Sequence, residues 1–486
     1  MGKKARKMMV LGTCSNSGKS FIVAGICRIL KNKGFKVAPY KSQNMALNSF
    51  ITEDGLEMGR AQVVQAEAAG IKPDVRMNPI LLKPNSDTGS QIILHGEVYG
   101  NYTASSYYEK KDFFEKEAIK ALEELEEDFD YIIMEGAGSA SEINLKDKDI
   151  VNMGLAEKVD APVIIVGDID RGGVFGALAG TMLLFDEREK DLVKGVIINK
   201  FRGNLDILKP GLDMIEDIIQ RPVLGVVPFM KVDIDDEDSL AMKDRSGKSH
   251  NLIDIVVIRT PRISNFTDFN ALEHMEGVGV RYVETPKDIG NPDLIILPGT
   301  KSTMGDLRWL RESGMETRIQ KHASRGKPII GICGGYQMLG KRLKDEFGVE
   351  GGGEMKGIGL LPHSTEFTKD KVRKAQVGKL EDVDGIFADL SGLEYEGYEI
   401  HMGISPGFGN IINEGNVYGT YIHGIFDRGE ISGAIICALM KAKGINTGDI
   451  EAMDMEEYKE KQYEILGTNL EKALDTNRLI EILGGK

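Results

Sequence analysis

Residues 8–20, Met-Met-Val-Leu-Gly-Thr-Cys-Ser-Asn-Ser-Gly-Lys-Ser, decide the fold of the first half of the chain. An apolar run is followed by a loop between Gly12 and Gly18 and then by a helical pattern of apolar residues that ends near Gly34. A strand, a glycine loop and a helix in this order are typical of a phosphate site, because backbone N–H groups at the helix start point at the anion. The stretch therefore predicts a parallel α/β domain with a phosphate site at the end of its first strand.

The loop is a variant of the usual phosphate loop. Five residues separate Gly12 from Gly18, where the usual pattern has four. Lys19 is placed to neutralise β- and γ-phosphate oxygens, and the Ser20 hydroxyl to bind Mg²⁺. The predicted nucleotide-binding residues are Ser15, Asn16, Ser17, Gly18, Lys19 and Ser20 in the loop, with Asn199 and Lys200 at the end of a later strand.

Short apolar runs alternate with amphipathic segments through most of the chain, which is the pattern of parallel sheets covered by helices. The predicted strands of the first half are 8–11, 36–40, 131–134, 163–166, 195–198 and 223–227. Those of the second half are 253–258, 280–283, 294–297, 328–332, 398–402 and 417–422. A length of 486 residues suits two or three domains. We predict a first domain over 1–230, a polar linker over 231–251, a second α/β domain over 252–440 and a helical segment over 441–486.

The composition excludes several classes of protein. Hydrophobic residues make up 41% and charged residues 28%, as in a soluble globular protein without a membrane span. The net charge of −14 argues against a general nucleic-acid binder. The basic N-terminus lacks a cleavage site, so no secretory signal is expected. Four scattered cysteines indicate neither disulfides nor a zinc site and favour a reducing cytoplasm.

Acidic residues that hold a metal are expected where strands of an open α/β sheet end. Glu135 ends the predicted strand 131–134 and is the best second ligand for Mg²⁺, with Asp54 as a weaker third candidate. Asp170 and Arg171 follow the strand 163–166 and enter a glycine pair suited to a second anion. Either group is also compatible with an ordinary turn.

Amides and hydroxyls are dense after the strand 36–40. Lys41, Gln43 and Asn44 stand at its end, in a segment that suits a ligand rich in carboxylates and amides. The alternative interpretation is a polar loop with capping side chains.

In the second half, Gly331-Ile332-Cys333-Gly334-Gly335-Tyr336-Gln337 follows an apolar run and precedes a helical pattern. A cysteine on such a strand-to-helix turn is held out of the sheet, and the first free N–H groups of the helix favour its thiolate. The flanking glycines permit a strained turn and the close approach of a substrate carbonyl. We predict that Cys333 is a nucleophile.

Cys333 needs a base and donors for an oxyanion. Among the seven histidines, His423 is the best base because it directly follows the strand 417–422, and His401 is the second choice. The N–H of Gly334 and that of Gly299, in a loop after another strand, are the predicted oxyanion donors.

The frame 331–337 with His423 resembles the class I, triad-type glutamine amidotransferase domain, a flavodoxin-like α/β fold. The first half resembles the dethiobiotin synthetase-like P-loop fold, whose members share the lengthened loop. Fused in this order, the halves are similar to the cobyric acid synthase family of cobyrinate-type amidotransferases. Further matches are 41–44, 59–62, 135–139, 142–145, 168–175, 199–203 and 397–403.

The resemblance implies ATP- and glutamine-dependent amidation of the b, d, e and g carboxylates of adenosylcobyrinic acid a,c-diamide. ATP would convert each carboxylate, a poor electrophile, into an acyl phosphate that ammonia attacks. ATP and Mg²⁺ are thus the expected cofactors, and glutamine and a corrinoid the expected substrates. The implied substrate-binding residues are Lys41, Gln43, Asn44, Asp170, Arg171 and Gln337.

The chain departs from the usual triad, which has a carboxylate two residues after the histidine, because that position is Ile425. Another group must orient His423, and the sequence does not identify it. We therefore expect a glutaminase that is slow unless the synthetase site is occupied.

Two rival functions stay open. The first is cobyrinic acid a,c-diamide synthase, against which residues 168–173 and 41–44 argue. The second is a non-catalytic partitioning or binding ATPase with a degenerate amidotransferase tail. The sequence leaves open the order of amidations, the ammonia path, the oligomeric state, including a homo-oligomer, and the need for the adenosyl ligand.

Overall fold

The computed structural model describes residues 4–85, 89–235, 252–407, 409–446 and 454–484. The chain forms two compact units. The N-terminal unit comprises Met1–Met45, Met58–Asp235 and Lys459–Lys486, and the C-terminal unit comprises Ala46–Glu57 and Asp236–Tyr458. The predicted boundaries therefore differ in two places, because residues 46–57 belong to the second unit and the last helices to the first. Of the predicted linker, residues 236–251 lie outside the described residues.

The first half of the chain contains twelve strands and eight helices among its described residues. The strands are β1 Arg6–Gly12, β2 Val37–Tyr40, β3 Gln43–Met45, β4 Ser49–Ile51, β5 Glu57–Gly59, β6 Ile80–Pro84, β7 Gly89–Leu94, β8 Glu97–Thr103, β9 Tyr131–Glu135, β10 Val163–Asp168, β11 Val193–Phe201 and β12 Val223–Pro228. The helices are α1 Lys19–Asn32, α2 Arg60–Ala68, α3 Ala104–Glu109, α4 Lys111–Asp128, α5 Met153–Lys158, α6 Val174–Leu184, α7 Glu187–Leu192 and α8 Leu205–Ile219.

A six-stranded parallel sheet, in the order β12-β11-β10-β1-β9-β2, forms the centre of the N-terminal unit. All six strands predicted for the first half lie in it. β9 and β10 are buried along their whole length, which explains why their sequences are nearly continuous apolar runs. The register pairs Val10 with Glu135, so the end of β9 reaches the start of the phosphate loop.

A second sheet of this unit, β3-β6-β7-β8, is absent from the sequence predictions. β7 and β8 form an antiparallel hairpin in which Leu94 pairs with Glu97. The two turn residues, His95 and Gly96, have φ angles of 47° and 81°. Two residues of positive φ are typical of the type I′ turn that closes tight hairpins. The pair His95-Gly96 was therefore the feature of the sequence that could have predicted this hairpin.

The second half of the chain adds ten strands and seven helices among its described residues. The strands are β13 Ile253–Ile258, β14 Val278–Val283, β15 Leu294–Leu297, β16 Ile329–Ile332, β17 Arg342–Asp345, β18 Gly353–Lys356, β19 Ser364–Lys379, β20 Glu394–Ile404, β21 Ile411–Glu414 and β22 Val417–Thr420. The helices are α9 Asn270–Glu273, α10 Thr303–Glu312, α11 Met315–Ala323, α12 Gly334–Leu339, α13 Gly429–Ala442, α14 Met455–Ala473 and α15 Thr476–Ile482.

The central sheet of the C-terminal unit has the order β14-β13-β15-β16-β22-β21, and only the edge strand β21 runs antiparallel. Five of the six strands predicted for this half lie in it. The sixth, residues 398–402, belongs to β20, which pairs antiparallel with β19 in a separate four-stranded sheet. Tyr398 and Ile400 are buried there too, so apolar character alone did not reveal which sheet they join.

The C-terminal helix α14 packs against α1 within the N-terminal unit. Leu470 fills the space over Gly25, where an added Cβ would lie 2.4 Å from its Cδ2. Arg28, which is 2% exposed, donates to Glu464 at 3.0 Å and to Glu460. The predicted helical segment is therefore a structural cover for the helix that carries Lys19 and Ser20.

Candidate active site

Asn199 and Lys200 contact the backbone of the phosphate loop and leave little space beside it. Gly18 has a φ of 94°, and a Cβ there would lie 2.1 Å from Asn199 Nδ2, so the position requires glycine. Asn199 Nδ2 donates to the Ser17 carbonyl at 2.9 Å, and Lys200 Nζ to the Asn16 carbonyl at 2.5 Å. Asn199 and Lys200 thus brace the loop, and their predicted contact with the nucleotide itself stays a prediction.

Lys19 and Ser20 begin α1 directly after this loop. Lys19 Nζ donates to the Gly138 carbonyl at 2.7 Å and to the Cys14 carbonyl at 3.3 Å, so the ammonium lies across the mouth of the loop. The hydroxyl of Ser139 donates to the Thr13 carbonyl at 3.0 Å. The strand β9 and the segment after it therefore close one side of the loop.

Ser20 and Glu135 meet, as the sequence predicts for a magnesium pair. Ser20 Oγ donates to Glu135 Oε1 at 2.8 Å, and the carboxylate is 1% exposed. Lys41 Nζ donates to the same oxygen at 3.0 Å, and Gln65 donates to the other. A hydroxyl and a carboxylate beside a phosphate loop are the hard oxygen donors that Mg²⁺ prefers, so the residues fit this ion.

Three other predicted residues lie elsewhere. Asp54 is exposed in the Thr52–Leu56 turn, which belongs to the C-terminal unit, and its role as a metal ligand stays a prediction. Asp170 accepts from Arg202 Nε at 2.9 Å, and Arg171 is exposed. The sequence placed Asp170 and Arg171 after a strand but could not show where the following loop turns.

A cavity of about 660 Å³ adjoins the phosphate loop within the N-terminal unit. Ser15 and Gly138 lie on its border with the loop, and Gln43 and Met45 line it from β3. Its apolar wall comes from β6, the hairpin β7–β8 and α3, with Leu82, Ile92, Tyr102, Tyr107 and Tyr108. We call this the aromatic cavity. Asn44 does not reach it but donates to Gln62 Oε1 at 3.3 Å as a buried support for Gln43.

Cys333 sits between β16 and α12 on a strained turn. Its φ and ψ angles are 50° and −106°, a conformation that residues with a Cβ rarely adopt. Its N–H donates to the Thr420 carbonyl at 2.8 Å, and its carbonyl accepts from Gln337 N at 3.0 Å. These bonds fix the turn, so the thiol, which is 6% exposed, is held at the strand end as the sequence predicts.

His423 is the partner of Cys333, and Asp268 orients it. The charge of Cys333 acts on the ring of His423, and the Nδ1 of that ring lies 2.7 Å from Asp268 Oδ2. Asp268 Oδ1 accepts from the N–H of Gly424 at 3.0 Å. The three side chains form a Cys-His-Asp triad, and all are at least nine-tenths buried.

Sequence reasoning missed Asp268 because 155 positions separate it from His423. It lies in a short 3₁₀ helix, Phe266–Phe269, in the segment between β13 and α9 and directly before α9. Asp268 stands between two phenylalanines that are buried, and a buried carboxylate is costly unless it has a partner. This carboxylate in an apolar segment was the feature of the sequence that could have indicated a functional residue.

Burial by itself would lower the pKa of His423, but the charges of Asp268 and Cys333 outweigh this effect and raise the pKa to about 10. The imidazole is therefore held as an imidazolium at neutral pH. An imidazolium beside the thiol stabilises the thiolate, which is the nucleophilic form of cysteine.

Tyr398 positions the His423 ring from the other side. The two rings are stacked with centroids 5.3 Å apart, and their backbones exchange two hydrogen bonds of 2.8 and 3.1 Å. The Tyr398 hydroxyl donates to the Ser49 carbonyl at 3.0 Å and accepts from Asn265 Nδ2 at 3.0 Å. The segment 46–57 thus belongs to the support of the histidine.

Gly299 and Gly334 both border the triad. A Cβ at Gly299 would lie 2.9 Å from His423 Cε1, and one at Gly334 would lie 2.6 Å from Thr300 Cγ2. Neither position has room for a side chain. Gly334 is the first residue of α12, where the N–H has no partner within the helix, as an oxyanion donor requires.

Two further candidates have structural partners. Gln337 accepts from Thr303 Oγ1 at 3.0 Å and donates to the Gly403 carbonyl at 3.4 Å, so its amide joins α10 to β20 where a substrate contact was predicted. His401, the second choice of base, lies 3.1 Å from Glu399 Oε2 and 2.7 Å from the Gly403 carbonyl. His423 is therefore the base that the fold brings to Cys333.

Replacing the orienting carboxylate tests the triad. We expect Asp268→Asn to lower glutaminase kcat by about 10²- to 10⁴-fold, because the imidazole loses both its orientation and its counter-charge. Without the negative charge, the raised pKa of His423 falls, so the basic limb of the pH–rate profile moves to lower pH.

The pH profile of glutamate release from glutamine measures both effects. Glu399→Gln is the matched control, because it neutralises the carboxylate of another histidine–carboxylate pair, that of His401 with Glu399. An unchanged basic limb in Asp268→Asn would contradict the assignment.

Two family models match the chain. The CobQ/CobB/MinD/ParA nucleotide binding domain matches residues 8–239, and the CobB/CobQ-like glutamine amidotransferase domain matches residues 254–431. The fold and the sites thus define a glutamine-dependent amidoligase with a P-loop nucleotide-binding domain and an amidotransferase domain, as the sequence predicts.

The chain is 55% identical to cobyric acid synthase of Ruminiclostridium cellulolyticum, over 99% of this chain and 97% of that protein. It is 52% identical to cobyric acid synthase of Lachnoclostridium phytofermentans, over 99% of both chains. It is 50% identical to that of Clostridium botulinum, over 99% of this chain and 100% of the other. The chain belongs to the cobyric acid synthase family.

Among the residues that the structure describes, no helix is long and apolar enough to cross a membrane.

Proposed function

We propose that the chain amidates the b, d, e and g carboxylates of adenosylcobyrinic acid a,c-diamide with ammonia from glutamine, giving adenosylcobyric acid. The observation that carries this proposal is the aromatic cavity beside the phosphate loop, bordered by Ser15 and Gly138. A carboxylate bound there would lie next to the phosphates of ATP. The triad of Cys333, His423 and Asp268 supplies a second, separate chemistry.

The triad would release ammonia in two steps. The Cys333 thiolate attacks the side-chain carbonyl carbon of glutamine, and the N–H groups of Gly299 and Gly334 hold the oxyanion. The His423 imidazolium donates its proton to the departing nitrogen, which leaves as ammonia. The neutral imidazole then takes a proton from water, which hydrolyses the thioester and gives glutamate.

The phosphate loop would activate the acceptor. A substrate carboxylate oxygen attacks the γ-phosphorus of ATP, and ADP leaves. Lys19 and the loop N–H groups neutralise charge on the transferred group. Ammonia attacks the acyl carbon, a proton is lost, and phosphate leaves with formation of the amide. Ser20 and Glu135 would hold Mg²⁺, which supplies further neutralisation of the phosphates.

The aromatic cavity supports a corrinoid as the acceptor. A corrinoid joins an apolar macrocycle to a rim of carboxylates and amides, and the cavity joins tyrosines and aliphatic side chains to Gln43 and Lys111. Ile143, Leu145 and Leu184 extend the apolar surface, although each is more than 40% exposed. Exposed apolar groups beside a cavity are typical of a binding surface.

The mass of the product tests this proposal. Purified enzyme is incubated with ATP, Mg²⁺, glutamine and adenosylcobyrinic acid a,c-diamide, and the corrinoid is analysed by mass spectrometry. We expect a final product with four additional amides, and four ATP consumed for each product. Amidation of cobyrinic acid at two positions, without reaction of the a,c-diamide, would instead indicate the earlier diamide synthase.

A further inference from the structure

Lys111 is a buried cation on the wall of the aromatic cavity. It is the first residue of α4 and is 8% exposed. Its Nζ lies 5.2 Å from the centre of the Tyr108 ring and 5.8 Å from that of Tyr107. Burial lowers the pKa of Lys111, because the ammonium has left water for an aromatic surface.

The two carboxylates near Lys111, those of Asp149 and Glu115, are hydrogen-bonded to other groups. Asp149 accepts from the backbone N–H groups of Val151, Asn152 and Gly154 at 2.9 Å each. Glu115 is bonded to Lys158. Both act on Lys111 only through their charge. Within the described ranges, no carboxylate is hydrogen-bonded to the Lys111 ammonium.

The other lysines of the cavity are already paired. Lys146 lies 2.7 Å from Glu189 Oε2 and 3.0 Å from Asp186 Oδ2. Lys148 donates to the Tyr108 carbonyl at 3.1 Å and is exposed. Lys111 differs from both, because among the described residues the partners of its ammonium are the rings of Tyr107 and Tyr108, and it lines the cavity.

We propose that Lys111 binds a carboxylate of the acceptor substrate in the aromatic cavity. A buried charge is costly without a partner of opposite charge, and a bound carboxylate would supply the hydrogen-bonded partner that is missing among the described residues. Tyr107 and Tyr108 hold the ammonium in place, and Tyr102 and Leu82 offer the adjoining apolar surface. The ligand class is therefore an amphipathic polycarboxylate, and the proposal rests on the corrinoid function given above.

Lys111 would also favour acids over amides. A carboxylate forms a charge-assisted hydrogen bond with an ammonium, whereas a primary amide offers a neutral oxygen and roughly half the strength. Once the bound carboxylate is amidated, its hold on Lys111 weakens. The site would then exchange that side chain for another carboxylate of the same molecule or release the product.

Equilibrium binding tests the proposal. The full-length protein is dialysed against adenosylcobyrinic acid a,c-diamide without ATP or glutamine, and bound corrinoid is measured by its absorbance. We expect Lys111→Met to raise Kd by about tenfold or more, because it keeps the length of the side chain and removes the charge. Lys116→Met is the matched control, because Lys116 is exposed on the same helix α4 and does not line the cavity, and its Kd is expected to stay within about threefold of wild type.

Thermal melting of the free proteins separates binding from folding. Removing a buried charge is expected to leave the Tm of Lys111→Met unchanged or higher. If this variant does not fold, Lys111→Gln is measured in its place. A folded neutral variant that binds the corrinoid as tightly as wild type would overturn the role of Lys111 alone. A wild-type protein that does not bind the corrinoid would overturn the proposed function, and this proposal with it.

Discussion

Cys333→Ser is expected to abolish glutamine-dependent amidation while the enzyme still uses free ammonia. A serine hydroxyl in place of the thiol is far less acidic, so the His423 imidazolium has no thiolate to stabilise. We expect the glutamine-dependent rate to fall by about 10³-fold or more. The ammonia-dependent rate is expected to stay close to wild type, because the phosphate loop and the aromatic cavity belong to the other compact unit.

The measurement compares corrinoid amidation with glutamine and with ammonium chloride as nitrogen donor. Cys437→Ser is the matched control, since Cys437 lies on α13 and is a free thiol outside the triad. Retention of glutamine use in Cys333→Ser would exclude Cys333 as the nucleophile. That result would also support the alternative hypothesis, in which the C-terminal half is a degenerate amidotransferase without activity.

Lys19→Met is expected to stop amidation with either nitrogen donor. The ammonium of Lys19 is 7% exposed and is held at the loop by the Gly138 and Cys14 carbonyls. Its removal takes away the charge that neutralises the transferred phosphoryl group. We expect a loss of about 10³-fold or more in product formation, because electrostatic stabilisation is the largest part of phosphoryl transfer.

The control for this change is Lys33→Met, near the other end of α1, where Lys33 makes an exposed ion pair with Glu471. Such a pair contributes little, so activity and Tm are expected to change only slightly. Product formation is followed with ammonium chloride so that the triad is not needed. Full ammonia-dependent activity in Lys19→Met would contradict a role of this loop in ATP activation.

The sequence predicted the central sheets well because buried parallel strands carry their signal locally. All six strands of the first sheet, and five of the second, are short apolar runs between amphipathic segments. The same local logic placed Lys19, Ser20 and Cys333 on turns after strands. The sequence did not predict the hairpin β7–β8, because its outer strand β8 is largely exposed and contains no apolar run.

The orientation of His423 shows where local reasoning stops. Ile425 stands where the usual carboxylate is expected, so the sequence predicted an unknown orienting group and a slow glutaminase. The structure supplies Asp268 at 2.7 Å. Because the triad is complete, Ile425 gives no reason to expect slow hydrolysis of glutamine. The rate of glutamine hydrolysis, measured with and without ATP and corrinoid, tests whether the two sites are coupled.

The phosphate loop, the two α/β sheets and the cysteine turn were determined by the sequence itself, because each depends on residues adjacent in the chain. Only the tertiary structure decided that Asp268 orients His423 and that the Gln337 amide joins α10 to β20. It also created the aromatic cavity, where none of the described carboxylates is hydrogen-bonded to Lys111. These features depend on which distant side chains are desolvated together, and the spacing of residues along the chain does not encode that.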